Sequence, residues 1–159
     1  MPELGLSDLA AALERGARLL GVDLGDKTIG LALSDTGLVV ASPLETLKRT
    51  KFTPDAQKLA ALAAAHGIGG IVYGLPVNMD GSEGPRCQST RQFARNLDQR
   101  LPLPYAFRDE RLSTAAVERV LIGEADLSRK RRAQVVDKAA AAWILQGALD
   151  ALAARRPAP

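Results

Sequence analysis

The sequence predicts an α/β domain on a mixed five-stranded sheet with helices on both faces. Three observations carry this. Two apolar runs near the start are separated only by a turn, the hydrophobic period changes from that of strands to that of helices after residue 50, and helices then alternate with short apolar strands. With 159 residues, 47% of them hydrophobic, the chain suits one domain with a proper core.

The elements follow in order. Ser7 to Arg15 reads as a short helix that Ser7 starts and Gly16 stops. Leu19–Leu24 and Thr28–Leu33 read as strands of a hairpin turned by Gly25, Asp26 and Lys27. Val39–Thr46 is the third strand, and Pro43, which has no N–H to give a neighbour, assigns it to an edge. In "TPDAQKLAALAAAHG", Thr53 is the expected N-cap, Pro54 the first helical residue and Gly67 the stop. "GGIVYGLP" is a buried strand, "GPRCQSTRQFARNLDQR" a helix and "PYAFRDE" a strand, so the two strands should lie parallel across a right-handed crossover. "LSTAAVERVLIG", capped by Ser113 or Thr114, and the long run from Leu127 to Arg156 complete the helices. The expected divisions are an N-terminal extension over 1–16, a folded domain over 17–154 and a disordered tail over 155–159.

A ribonuclease H-like sheet, in strand order 3-2-1-4-5, fits this string. It makes the first strand central, and a strand covered on both faces should be apolar throughout. Asp23 breaks that rule. By alternation Leu20, Val22 and Leu24 face one way, while Leu19, Gly21 and Asp23 face the other, where Gly21 should leave open space beside the carboxylate. The anomaly recurs in the last helix, where Ala133, Asp137, Ala141, Ile144 and Ala148 form one stripe of small and apolar residues around an acid. It recurs again at the end of the fifth strand, with Asp109 and Glu110. Ligands gather beyond the carboxyl ends of parallel strands. Alternation turns Asp109 and Glu110 to opposite sides; the longer arm favours Glu110 for the site.

Each acid taken alone has an ordinary explanation, such as turn amides for Asp23 or a salt bridge for Asp137. In the expected fold, however, all three reach one edge of the sheet. Two carboxylates about 4 Å apart repel by roughly 4 kcal/mol at an effective dielectric of 20. Such a group calls for a divalent cation, and hard oxygen donors suit Mg²⁺ or Mn²⁺. One or two ions held by Asp23, Glu110 or Asp109, and Asp137 could drive phosphodiester hydrolysis. His66 reads as a helix-end residue and Cys87, the single cysteine, as a passive side chain in a reducing compartment.

Charge fits a polyanionic substrate. The net charge is only +3, yet Arg129, Lys130, Arg131 and Arg132 are consecutive. Aromatic residues make up 4% of the chain, so contacts to the backbone should dominate over base stacking. Lys27, Asn78, Arg86 and Arg111, together with Arg129, Arg131 and Arg132, are the candidate substrate contacts. No run is long and apolar enough for a membrane span and the first residues do not read as a signal peptide, so a cytoplasmic protein is expected.

Four segments, "GVDLGDKTIGLALSD", "IVYGLPVNMDGSEGPR", "FRDERLSTAAVERVL" and "VVDKAAAAWILQGALD", in this order and spacing, closely resemble the YqgF family of ribonuclease H-like proteins, the pre-16S rRNA nucleases also called Holliday junction resolvases. The resemblance implies a bacterial nuclease that processes the 5′ end of the 16S rRNA precursor, with the precursor, free or on the ribosome, as partner. It implies metal held by the acids matching Asp23, Glu110 or Asp109, and Asp137. Other ribonuclease H-like nucleases bring an acid from the end of the fourth strand; here Tyr73, Gly74, Leu75 and Pro76 stand there, as in the YqgF group. Alternatives are a resolvase of branched DNA, which would need a symmetric dimer rather than a monomer or weak dimer, a noncatalytic RNA-binding assembly factor, and an actin-like ATPase using "DLGDKTIG" as a phosphate turn.

Overall fold

The computed structural model describes residues 3–110 and 129–154, with side chains in the second segment from residue 138 onward. Its elements are α1 (Leu6–Ala12), β1 (Arg18–Leu24), β2 (Thr28–Ser34), β3 (Ala41–Lys48), α2 (Phe52–His66), β4 (Ile68–Leu75), α3 (Pro85–Asp98), β5 (Tyr105–Asp109) and α4 (Arg129–Ala154). The helix expected at "LSTAAVERVLIG" and the tail lie outside the described residues.

The sheet has the expected order, β3-β2-β1-β4-β5. β1 pairs antiparallel with β2 and parallel with β4, β2 antiparallel with β3, and β4 parallel with β5. Alternation along β1 divides the interior as its sequence requires. Leu20, Val22 and Leu24 pack with Ala56, Leu59 and Ala63 of α2 and with Phe93, Ala94 and Leu97 of α3. Leu19 packs on the other face with Leu9 of α1 and with Ala141, Ile144, Leu145, Ala148 and Leu149 of α4. The stripe read from the last helix is therefore its sheet-facing side from Ala141 on. Leu4 N donates to Tyr105 O at 2.8 Å, so the chain ahead of α1 also runs along the sheet.

Several boundaries differ from expectation. α1 spans only Leu6–Ala12, after Gly5 as N-cap. β3 begins at Ala41 because Asp35 accepts the Val39 and Val40 amides (2.7 and 3.0 Å), which keeps those residues in the turn. It is the edge strand that Pro43 demanded. α2 begins at Phe52 with Lys51 as N-cap, and Thr53 does not cap it. The buried Asp55 carboxylate instead accepts from Thr50 N (2.9 Å) and Thr50 Oγ1 (2.6 Å), binding the preceding turn to the first helical turn. Pro54 is tolerated because N–H groups of a first turn have no helical acceptor. His66 ends the helix before Gly67, whose φ of 65° suits glycine.

The space expected beside Gly21 is filled. A Cβ there would lie 2.9 Å from Leu145 Cβ and 3.0 Å from the Ala141 carbonyl, so the missing side chain admits α4 onto the strand rather than opening a pocket. The later residues of α4 share a cluster with Leu9 of α1, which packs where Gly70 and Leu19 begin β4 and β1; the helix therefore runs against β1, and its N-terminal half reaches the carboxyl edge. β3 is parallel to β1 through β2, so the carboxyl ends of β1, β3, β4 and β5 share that edge with the β1–β2 turn.

Replacing Gly21 with alanine should force α4 away from β1 and destabilise the fold by about 1–3 kcal/mol, read as a lower urea midpoint with an unchanged slope.

Candidate active site

Asp23 is the penultimate residue of β1 and is half-buried on the α4 face. Beyond the Val22–Tyr73 pair, β4 offers Gly74 next to it. Glu110 follows the last residue of β5, and its N–H donates to Leu75 O at 3.2 Å, which extends the β4 ladder by one step. β5 lies two strands from β1, about 10 Å away. Glu110 covers that distance by laying its carboxylate over Gly74, where a Cβ would come within 2.6 Å of Oε2 and would also strike Ile144 of α4. The missing side chain on β4 is thus the condition for an edge-strand acid to reach the central strand.

The Glu110 carboxyl group lies close enough to Asp23 for the two acids to act on each other directly. Glu110 Oε2 is buried and has no hydrogen-bond partner. Burial first, then the charge and hydrogen bond of Asp23, push the Glu110 pKa from 4.5 up to about 8, and Asp109 adds to the rise. Arg86 acts the other way, as the nearby positive charge. Arg86 and Glu110 line a cleft of about 350 Å³, with Pro76, Val77 and Asn78 on the loop after β4 and Gly84 at the start of α3.

A buried carboxylate oxygen without a donor, beside a second carboxylate, suits a hard divalent cation, which Asp23 and Glu110 could hold together. Asp137 belongs to α4, four residues before Ala141; its side chain lies outside the described residues. Among the described residues, no group of three His, Cys, Asp or Glu is arranged to hold a metal.

The other sequence candidates divide as follows. Asp109 is exposed, so Glu110 is the inward acid of the two. Lys27 is exposed in the β1–β2 turn at this edge. Asn78 lines the cleft, but its Nδ2 donates to Ser82 Oγ at 3.0 Å, and Ser82 Oγ donates to Asp80 Oδ1 at 2.6 Å, so these donors serve the loop's own turn. The loop's end is fastened by Arg91, which donates to both oxygens of Glu83 at 2.8 and 3.0 Å. Arg111 and the side chains of Arg129, Arg131 and Arg132 lie outside the described residues. Cys87 is buried in the first turn of α3, near enough to Glu110 for that charge, after burial, to help raise its thiol pKa, and His66 stands at the opposite end of α2, away from the acids. Sequence reasoning noted Gly74 where an acid is missing from the end of β4, with an acid after β5 to substitute; that the glycine clears the path of Glu110 is seen only in the structure.

The sheet order and the edge-bound acids define a ribonuclease H-like protein, and comparison with solved structures agrees. Thermus thermophilus RuvC in complex with a Holliday junction superposes with a TM-score of 0.53 at 14% identity, over 85% of this chain and 94% of that one. The fowlpox virus resolvase bound to Holliday junction DNA gives 0.52 at 12% identity, over 85% and 98%. At such identities the likeness speaks for the fold. A family model described as "RuvX: Holliday junction resolvase" matches residues 17–151. A Rhodospirillum rubrum protein named "Putative pre-16S rRNA nuclease" is 60% identical over 99% of this chain and 98% of its own length, and a Paramagnetospirillum magneticum protein of the same name is 61% identical over 94% and 96%. The chain belongs to the RuvX family, the one also called YqgF.

The raised Glu110 pKa fixes a pH response for metal-free protein. Folded Glu110 keeps its proton up to about pH 8, while the unfolded chain releases it near 4.5, so this contribution to stability is complete below 4.5 and is lost as pH rises towards 8. In chelator, the urea midpoint of the wild type should fall more between about pH 5.5 and pH 8.5 than that of Glu110→Gln, which should be the more stable of the two at the higher pH.

Proposed function

We propose that this protein is a metal-dependent endonuclease that hydrolyses phosphodiester bonds in structured RNA, acting in the bacterial cytoplasm on the 5′ end of the 16S rRNA precursor. The observation that carries the reading is the Asp23–Glu110 pair, with an unpartnered buried oxygen, at a cleft walled by Arg86. The RNA substrate rests on the name carried by relatives about 60% identical over nearly the whole chain.

Asp23, Glu110 and Asp137 would hold Mg²⁺ or Mn²⁺, with Asp109 an outer neighbour. A bound ion of this kind activates water and neutralises charge on the phosphate. The chain's own residues do the rest. Gly74 and Ile144 fix the Glu110 carboxylate by contact, so that it meets Asp23 without further ordering on substrate binding. Arg86 offers a cation to a non-bridging phosphate oxygen at the cleft wall, and Asn78 shapes that wall through its turn. Lys27, Arg111, Arg129, Arg131 and Arg132 are the candidates for flanking phosphates.

A second reading, resolution of four-way DNA junctions, is favoured by the description of the family model and keeps the same acids. Both substrates enter one experiment. Purified protein is given a precursor 16S rRNA fragment or a four-way junction, with Mg²⁺, Mn²⁺ or chelator. Cleavage of the RNA in metal is expected, with loss in chelator. Asp23→Asn should cut the rate by a factor on the order of 10³ or more, about 4 kcal/mol of transition-state stabilisation, while the protein stays folded. Junction cleavage without RNA cleavage would transfer the assignment to DNA, and equal cleavage by Asp23→Asn would remove these acids from the reaction.

A further inference from the structure

The end of β3 and the β1–β2 turn are fastened into one basic ridge. Thr28 pairs with Lys48 at the last rung of the β2–β3 ladder, and Arg49 N donates to Lys27 O at 2.8 Å. Arg49 Nη1 donates to Gly25 O at 2.8 Å, and the guanidinium lies 5.7 Å from the centre of the Phe93 ring. Arg49 is therefore a staple. The Thr50–Asp55 hydrogen bonds hold the following turn, and they also occupy the buried Asp55 carboxylate. Lys27, Lys48 and Lys51 are left exposed on this rigid frame, with Asp26 as the acid at the turn tip.

This ridge stands on the edge that carries Asp23, and its turn begins two residues after that acid. β3 is two strands from β1, about 10 Å, or roughly three base steps of about 3.4 Å. The large exposed hydrophobic residues, Val39, Val40, Met79 and Trp143, belong to other segments, so the ridge offers charge and not an apolar docking face. Ammonium groups on flexible stems suit phosphates whose exact orientation varies.

We infer that Lys27, Lys48 and Lys51 form a backbone-phosphate track that holds the substrate strand flanking the phosphate at the Asp23–Glu110 site. This rests on the nuclease reading for the identity of the strand, while the binding itself is measurable without cleavage. The track lies on the β3 side of the acids and Arg86 on the α3 side, so a strand crossing the edge meets cations both before and after the reactive centre.

The test uses the full chain with Asp23→Asn as the parent, a labelled precursor 16S rRNA fragment, and fluorescence anisotropy across a KCl series. Adding Lys48→Ala and Lys51→Ala should weaken binding and reduce the slope of log K against log salt by about 1.4–1.8, the release of two phosphate contacts at about 0.7–0.9 each. Lys27→Ala alone should reduce it by about half as much. Arg15→Ala, which removes one positive charge from the opposite edge ahead of β1, should leave the slope unchanged, and thermal midpoints should match in all variants. Unchanged slopes in folded lysine variants, or an equal loss in Arg15→Ala, would overturn the track. The nuclease reading stands or falls separately, on cleavage by the protein with Asp23 intact.

Discussion

Helix α4 rests on bare backbone at two strand positions, Gly21 on β1 and Gly74 on β4, and the arrangement of the acidic edge follows from that contact. At Gly21 the helix approaches until Ala141 and Leu145 occupy the room of a side chain. At Gly74 the room is shared by Ile144 and the Glu110 carboxylate. Larger residues at either place would lift the helix or expel the glutamate, because packed interiors leave no slack for an extra methyl group. The same contact directs the N-terminal half of α4 towards the edge where Asp23 and Glu110 meet.

The acid pair is unfavourable for the metal-free fold. Burial and mutual repulsion keep a proton on Glu110 well above the usual carboxylate range, and one of its oxygens receives no donor. Local frustration of this kind in an otherwise consistent structure is expected where function sets the residue. Among the described residues the surroundings are consistent: apart from Asp23, the buried residues of β1 are apolar or glycine, the buried Asp55 carboxylate is hydrogen-bonded at a turn, and Pro43 keeps to the edge strand. A bound cation would resolve the conflict by giving both carboxylates a partner of opposite charge.

Around this pair the cations serve different ends. Arg49 and Arg91 are held within the fold, one by the Gly25 carbonyl and the Phe93 ring, the other by Glu83, Glu3 and the Phe107 ring. Planar guanidinium groups make such fixed contacts readily. Lys27, Lys48 and Lys51 stay in solvent, and Arg86 stands at the cleft. Arg49 thus holds the turn that carries the solvent-facing lysines, and Arg91 holds the end of the loop that carries Asn78.

Sequence alone determined the order of the described elements, the central strand, the edge strand and the faces of β1, because these depend on local period and on where proline and glycine fall. It also singled out Asp23, Glu110 and Asp137 as acids in apolar settings. It misread Thr53 as the cap of α2, since the Thr50–Asp55 pairing joins residues on both sides of the helix start, and it misread Gly21 as an opening. Only the tertiary structure decided that a helix fills that opening, that Glu110 and not Asp109 turns inward, and that Gly74 gives it passage to Asp23. Those facts depend on which surfaces of distant segments come into contact, and a strand's own pattern says which face is apolar without saying what will cover it.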